Sequence, residues 1–550
     1  MKLKRFLYGS VSLAALILVS CHNRTADDGR TVFRYNESAG ITTLDPAFAR
    51  DQATIWATHQ LYNGLLQLGD DLSIQPCIAK SFEISDDGLT YTFHLRQDVY
   101  FHDDPLFPGG KGRRVVAGDF VYSFQRISDE TNASPGAWIF KGVAVDSSGN
   151  YAFTAPDDTT FVVRLKEVFP PFAGLLSMQY CSVVPHEVVD HWGNDFRRHP
   201  VGTGPFRFKM WKEGVKLVLV KNPSYFEVDG DTRLPYLDAV AVTFLVDKQS
   251  VFLEFIKGKL DFMSGIDASY KDELLTRAGT LNPEYSDRIQ LITCDYLNTE
   301  YLGFLMDTAL DAVSSSPLRD RRVRKAINYG FDRRKMMKYL RNNIGRPAVN
   351  GFIPAGMPGF DSSEVRGYDY DPDRARTLLA EAGYPNGKGL PEITLTTTAS
   401  YLDLCEFIQH QLGETGIRIR IDVNPPATLR EVIAKSKVPF FRASWIADYP
   451  DAENYLSLFY SPNFCPRGPN YTHFSSPAFD ELYEKARKET RDSLRFAYYR
   501  EMDRLLMEEA PVVVLYYDQV LRFVQKNIIG IGRHPMNLLE LKRVRKVTGS

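Results

Sequence analysis

A mixed α/β fold is predicted by three features of the sequence. From residue 31 nearly to the end, segments alternating apolar and polar residues are followed by segments of helical periodicity. Cap residues punctuate them, as where Asp371-Pro372 precedes the helix formers Ala375 to Ala382 and Gly383 follows. The 550 residues are 44% hydrophobic and 24% charged, with 38 Gly and 31 Pro, which excludes disordered, collagen-like and coiled-coil chains. At roughly 150 residues per domain, this length predicts about three or four structural units. Alternation of strand and helix favours largely parallel sheets.

The elements follow in chain order. Lys2, Lys4 and Arg5 precede an apolar run, Phe6 to Val19, that is too short to span a bilayer comfortably and reads as a signal peptide over 1–20. The run ends in Leu18-Val19-Ser20-Cys21, which resembles a bacterial lipobox, so Cys21 is the expected lipidation site and 21–30 a lipidated tether. An ordinary secretory signal that contains a cysteine is the alternative. Thr31 to Tyr35 reads as a strand, Gln52 to Leu66 as an amphipathic helix and Tyr91 to Leu95 as a strand after the turn Ser85 to Gly88. Phe101 to Arg114, rich in Pro and Gly, reads as a loop insertion. Strands are expected at Lys216 to Lys221 and Leu237 to Leu245, then a helix from Lys248 to Lys257. Strand Ile393 to Thr397, helix Leu402 to Leu412 and strand Arg418 to Val423 come later.

Charge and motifs narrow the function. Sixty-six basic against 68 acidic residues give a net charge of -2, so no global field favours nucleic acid. His186 and His191 are five apart, about 140° around a helix, whereas a zinc helix needs about 40°. Asp369, Asp371 and Asp373 begin like a calcium loop, but Arg374 replaces the turn glycine and Ala380 the bidentate glutamate. Nucleophile-elbow, phosphate-loop and dinucleotide fingerprints are missing, so no catalytic residue, metal ligand or cofactor is assigned. The five cysteines after Cys21 lack CxxC spacing and leave at least one free thiol. The basic run Arg319 to Lys325, continued by Arg333, Arg334, Lys335 and Lys338, reads as a solvated helix face, with contact to a membrane partner as the alternative.

Several blocks stand out along the chain: Leu44-Asp45-Pro46-Ala47, Tyr62-Asn63-Gly64-Leu65, Gly88 to Arg96 and Gly118 to Arg126. Pro200-Val201-Gly202-Thr203-Gly204-Pro205-Phe206, Lys221 to Tyr225, Val323 to Tyr329 and Ala443 to Asp451 complete the set. In content and order these blocks resemble extracellular solute-binding protein family 5, the peptide-binding components of ABC-type importers. The resemblance implies a two-lobed periplasmic-binding-protein-like α/β fold (type II) with an extra subdomain inserted in the first lobe. On this chain, lobe one takes 31–80 and 205–295, the inserted subdomain 81–204 and lobe two 296–511, with 512–550 returning to lobe one. The block from Pro200 to Phe206 reads as architecture, its glycines and prolines fixing a tight irregular turn.

The same resemblance implies a ligand site. Asp448 matches the acid that pairs with a peptide's α-ammonium group, and a carboxylate is what a desolvated ammonium needs. Arg442 matches a basic residue that takes the peptide's C-terminus, Trp445 would line the cleft, and the backbone at Ser444 and Ile446 would bond the peptide main chain. Ser444 stands where these binders often have glycine, and Gly136 follows the cleft-facing Asn132 to Pro135 where an aromatic is more usual. The implied protein is a monomeric, non-enzymatic binding component that is exported and lipid-anchored, facing the periplasm or cell exterior. Its partners are short peptides and an ABC-type permease. Alternatives are a non-peptide solute such as a nickel complex or sugar, a secreted hydrolase, or a structural surface lipoprotein.

Overall fold

The computed structural model describes residues 29–547 apart from Ala268, so the expected signal segment, Cys21 and most of the tether lie outside the described residues. Strand β1 (Val32–Asn36) buries Phe33 and Tyr35 and exposes Arg34. Helix α1 (Gln52–Leu61) starts at Asp51, whose carboxylate accepts the Thr54 N–H at 3.0 Å. It stops short of the expected Leu66 because Tyr62 is extended (φ −130°, ψ 161°). Gly64 then packs so close that an added Cβ would lie 3.2 Å from the Cys181 carbonyl oxygen. Leu66 instead opens the hairpin β2 (Leu66–Leu68) and β3 (Ile74–Pro76).

Four strands, β4 (Ala79–Ile84), β5 (Thr90–Leu95) and, after helix α2 (Ala117–Ser128), β6 (Phe153–Asp157) and β7 (Thr160–Arg164), form a separate antiparallel sheet in the order β4-β5-β7-β6. Phe120 and Phe124 of α2 pack their rings on Phe161, so this sheet has its own aromatic core. The chain then adds β8 (Phe206–Lys212), β9 (Lys216–Lys221), β10 (Ala239–Thr243), helix α3 (Lys248–Ile256) and β11 (Phe262–Ser264). Gly202 and Gly204 lie against the end of α1, where added Cβ atoms would come 2.2 Å from the Leu61 carbonyl oxygen and 2.4 Å from its carbon.

Strand β12 (Ile289–Phe304) leads into the second lobe, which contains α4 (Arg321–Tyr329), α5 (Arg333–Leu340), α6 (Pro372–Glu381), β13 (Ile393–Thr397), α7 (Leu402–Glu414), β14 (Ile419–Val423), α8 (Pro426–Ala434), β15 (Phe440–Ile446), α9 (Pro477–Lys488) and α10 (Asp492–Glu509). Strand β16 (Val512–Gln525) carries the chain back. Together with the short Arg346–Pro347 strand on β16, these form one eleven-stranded sheet ordered β14-β13-β15-β12-β16-β11-β1-β10-β9-β8. Parallel pairing is confined to β1 with β10 and β11 and to β13 with β14 and β15; the other pairs are antiparallel. The expectation of largely parallel sheets is therefore corrected. Periodicity identifies a strand but not its partner, and here a tight hairpin (β8–β9) and the paired strands β12 and β16 are antiparallel.

β12 and β16 belong to both lobes. Ile289 to Asp295 pairs with Gln525 to Gln519, the register shifts, and Thr299 to Gly303 then pairs with Tyr517 to Val512. The expected boundary at 512 falls at the start of this long strand, which pairs with β12 along both stretches. Above this crossing, alternate residues of β16 face opposite cores: Val513 and Leu515 join one cluster, Val514 and Tyr517 the other.

The basic run is corrected in part. Arg321 and Arg322 form surface pairs with Glu509 and Asp320. Arg324 and Arg333, however, are each only 2% exposed. Arg324 donates to the carbonyls of Leu318, Arg319, Glu509 and Ala510, and Arg333 to those of Asn328 and Val514. Burial pulls both guanidiniums down to about 10, and the carbonyls compensate a charge that would otherwise be costly inside. Their work is to clamp α4 and α5 onto the end of α10 and the start of β16.

Candidate functional site

Strand β15 begins in the core, with Phe440 and Phe441 buried in clusters on opposite faces of the sheet. It runs antiparallel to β12, with Phe440 opposite Phe304 and Ile446 opposite Asn298. On its other side it pairs with β13 only at Thr396–Phe441. Among the described residues, the edge from Arg442 to Ile446 therefore has no strand partner on that side. Such an edge presents backbone N–H and C=O groups to an extended chain.

Arg442 lies on this strand and is already engaged. Its guanidinium donates to Glu300 and lies 3.2 Å from the centre of the Tyr401 ring. Glu300, with a side chain 3% exposed, also accepts from Asn298 at 3.2 Å and from the Tyr401 hydroxyl at 3.4 Å. Burial, the largest single influence, pushes the Arg442 guanidinium down, but Glu300, Tyr401 and Tyr516 together outweigh it and the net direction is up. Arg442 Nε has no partner. Nearby, Arg341 pairs with Asp518 and Arg346 with Asp295, each at 2.9 Å, so ion pairs cluster at the crossing of β12 and β16.

Asp448 follows the strand, half-buried, and is held differently. Asn454 Oδ1 accepts from the Trp445 indole at 2.9 Å and from the Asp448 N–H at 3.1 Å, and its Nδ2 donates to the Asp448 carboxylate at 3.2 Å. One side chain thus fixes both residues. Among the described residues no Lys, Arg or His forms an ion pair with Asp448. Burial raises its carboxyl above the usual range, partly offset by the Asn454 bond. Its charge also acts on Tyr180 of the inserted segment, whose phenol is pushed up to about 12 mainly by burial. Ser444 is half-buried and Ile446 is exposed on the open edge.

Contacts between the lobes surround this segment. The Trp138 and Tyr449 rings lie 6.3 Å apart, and Glu167 pairs with Arg487 at 3.3 Å. Leu72, at the tip of the β2–β3 hairpin, joins the second-lobe core. A cavity of about 380 Å³ sits beside the crossing, lined in part by Gln52, Trp56, Tyr296, Arg341 and Asp518. A larger groove of about 1160 Å³, bordered by Arg50, Asn132, Ala133 and Pro135, is lined by the first lobe and its insert alone. It contains none of the five predicted site residues.

Sequence reasoning missed Glu300 and Asn454. Glu300 stands 142 positions from Arg442, so only pairing of β12 with β15 brings them together. Asn454 is six residues beyond Asp448, on the short helix Glu453–Leu456, a spacing that no motif marks.

Two lobes sharing a pair of crossing strands, with an open strand edge and a half-buried acid beside it, have the architecture of a solute-binding protein. The chain belongs to the bacterial extracellular solute-binding proteins, family 5, whose model matches residues 73–464. It is 26% identical over 503 residues to the glutathione-binding protein GsiB of Escherichia coli O1:K1, covering 90% of this chain and 91% of the relative. It is 25% identical over 541 residues to the dipeptide-binding protein DppE of Bacillus subtilis, covering 95% and 93%. Among solved structures, the periplasmic binding protein DppA from Helicobacter pylori in complex with the peptide STSA is 26% identical, with a TM-score of 0.73 over 94% of this chain and 99% of that one. HbpA2 from Haemophilus parasuis shares the fold at 22% identity, with a TM-score of 0.79 over 94% of this chain and 100% of that one. The family, GsiB, DppE and DppA are all described as binding proteins.

Proposed function

We propose that this protein is the binding component of an ABC-type importer and captures short peptides between its lobes. The carrying observation is Asp448: a carboxylate oriented by Asn454, raised by burial and, among the described residues, without a cationic partner, beside a strand edge that has no strand partner there. A peptide's α-ammonium group supplies the missing charge, and its main chain extends along Arg442 to Ile446 with Ser444 and Ile446 contributing backbone bonds. Trp445 walls the cleft. Arg442 takes a secondary role, because Glu300 already neutralises it; a peptide carboxylate there has to share the guanidinium. Capture is a population shift in which contacts to both lobes favour the closed form. Lipidation at Cys21 after removal of 1–20 would hold the exported protein at a membrane surface beside its permease.

The test is native mass spectrometry of protein lacking residues 1–21, offered short peptides and their N-acetylated or C-amidated forms. Free peptides should bind, acetylation should abolish binding and amidation should weaken it less. Binding indifferent to acetylation overturns the assignment of Asp448, and a protein that binds no peptide overturns the peptide reading.

A further inference from the structure

A second group of reactive side chains meets elsewhere in the second lobe. Asp307 follows β12, Ser436 follows α8, and Cys465 and His473 lie in the loop before α9. Cys465 Sγ is 3.3 Å from His473 Nε2, while Ser436 Oγ is 3.0 Å from that nitrogen and 3.2 Å from the sulfur. On the far side of the ring, Nδ1 is 3.3 Å from the Asp307 carboxylate. Phe464 stacks on the imidazole at 4.4 Å between centroids. Ser436 and His473 both have positive φ, 54° and 49°, which non-glycine residues adopt at a cost.

The hydrogen bonding assigns the imidazole tautomer. An ionised carboxylate only accepts, so Nδ1 carries the proton and Nε2 offers its one lone pair to the thiol, leaving the Ser436 hydroxyl to donate to the sulfur. A thiol beside a nitrogen base that a third group orients is the arrangement of an activated nucleophile. Burial pushes the Cys465 thiol up and the Ser436 bond pulls it back, so the sulfur rests protonated and needs a base to react. Cys465 is only 5% exposed, which excludes a bulky reagent.

We propose that Cys465 is a modification site for small hydroperoxides, with His473 as its base and Asp307 as a positioning residue. His473 Nε2 takes the thiol proton as the sulfur attacks the terminal peroxide oxygen. The S–O bond forms, the O–O bond breaks, and the departing alkoxide or hydroxide takes the proton from the imidazolium. The products are a sulfenic acid and an alcohol or water: sulfur is oxidised by two electrons and the peroxide reduced by two. Cys294, which is less buried, serves as an internal reference.

The experiment treats the purified protein with hydrogen peroxide, traps sulfenic acid with a cyclic 1,3-dione, and measures each cysteine by peptide-resolved mass spectrometry. Cys465 should be trapped faster than Cys294, and H473N, shown folded by circular dichroism, should slow Cys465 at least tenfold. Asp307→Glu should keep the rate that Asp307→Asn loses. Trapping of Cys465 no faster than Cys294 in the wild-type protein overturns the proposal without any variant, and so does an undiminished rate in folded H473N.

Discussion

Asp448 is costly to the empty protein, and under the proposed function it is useful to the loaded one. Asp448→Asn keeps the shape and an oxygen for Asn454 but removes the charge that a ligand ammonium needs. Peptide binding should weaken by about 3–5 kcal/mol in calorimetry, the range for breaking one side of a buried pair; unchanged affinity removes Asp448 from the site. The ligand-free variant should melt higher at neutral pH. A carboxyl whose folded pKa is raised favours folding below its unfolded pKa and loses that contribution as pH rises through the folded value, so at pH 7 the wild type bears the burial of a charge. The same shift predicts that peptide affinity falls on acidification at a higher pH than an ordinary aspartate would give. A titration of affinity that stays flat down to pH 4 contradicts this. Arg442→Met should cost less than Asp448→Asn, since Glu300 already holds the guanidinium, although it leaves Glu300 uncompensated and lowers stability.

Local elements were readable where the signal is local. Strands Lys216–Lys221 and Ile393–Thr397 fall where alternation places them, and Asp371 caps its helix through the Arg374 N–H at 2.8 Å. What sequence hides is set by distant partners. Arg324 and Arg333 look like surface charge because their compensating carbonyls arrive from α10 and β16. The end of α1 is likewise decided by Cys181 and by the turn at Gly202 and Gly204. Gly204→Ala forces a methyl into the α1 terminus and should destabilise by about 1–3 kcal/mol or more in urea unfolding. A neutral result would mean that the turn can move away. For the candidate site, the resemblance pointed to the strand and to Asp448, whereas their neighbours Glu300 and Asn454 had no signal in the sequence, because folding alone brings them there.

At the scale of the molecule, closure should appear as a fall in radius of gyration when peptide is added, measured by small-angle X-ray scattering. No change on saturation would argue against lobe movement. The Glu167–Arg487 pair bridges the lobes but is substantially exposed, with side chains 45% and 32% accessible. Glu167→Gln should therefore shift the balance by less than about 1 kcal/mol.

The crossing of β12 and β16 has a consequence for how a ligand comes and goes. A hydrogen-bonded ribbon resists sliding along its length but twists readily, most of all where its ladder skips between Asp295 and Thr299. The lobes should thus part like the jaws of a pair of tongs, the gap narrowest at the ribbon and widening outward. Ile446 lies opposite Asn298, at the pivot, whereas Arg442 lies opposite Leu302, four residues further out. If a peptide lies as proposed, its amine end should be the first to be gripped and the last to leave, while its other end should sample solvent whenever the jaws relax.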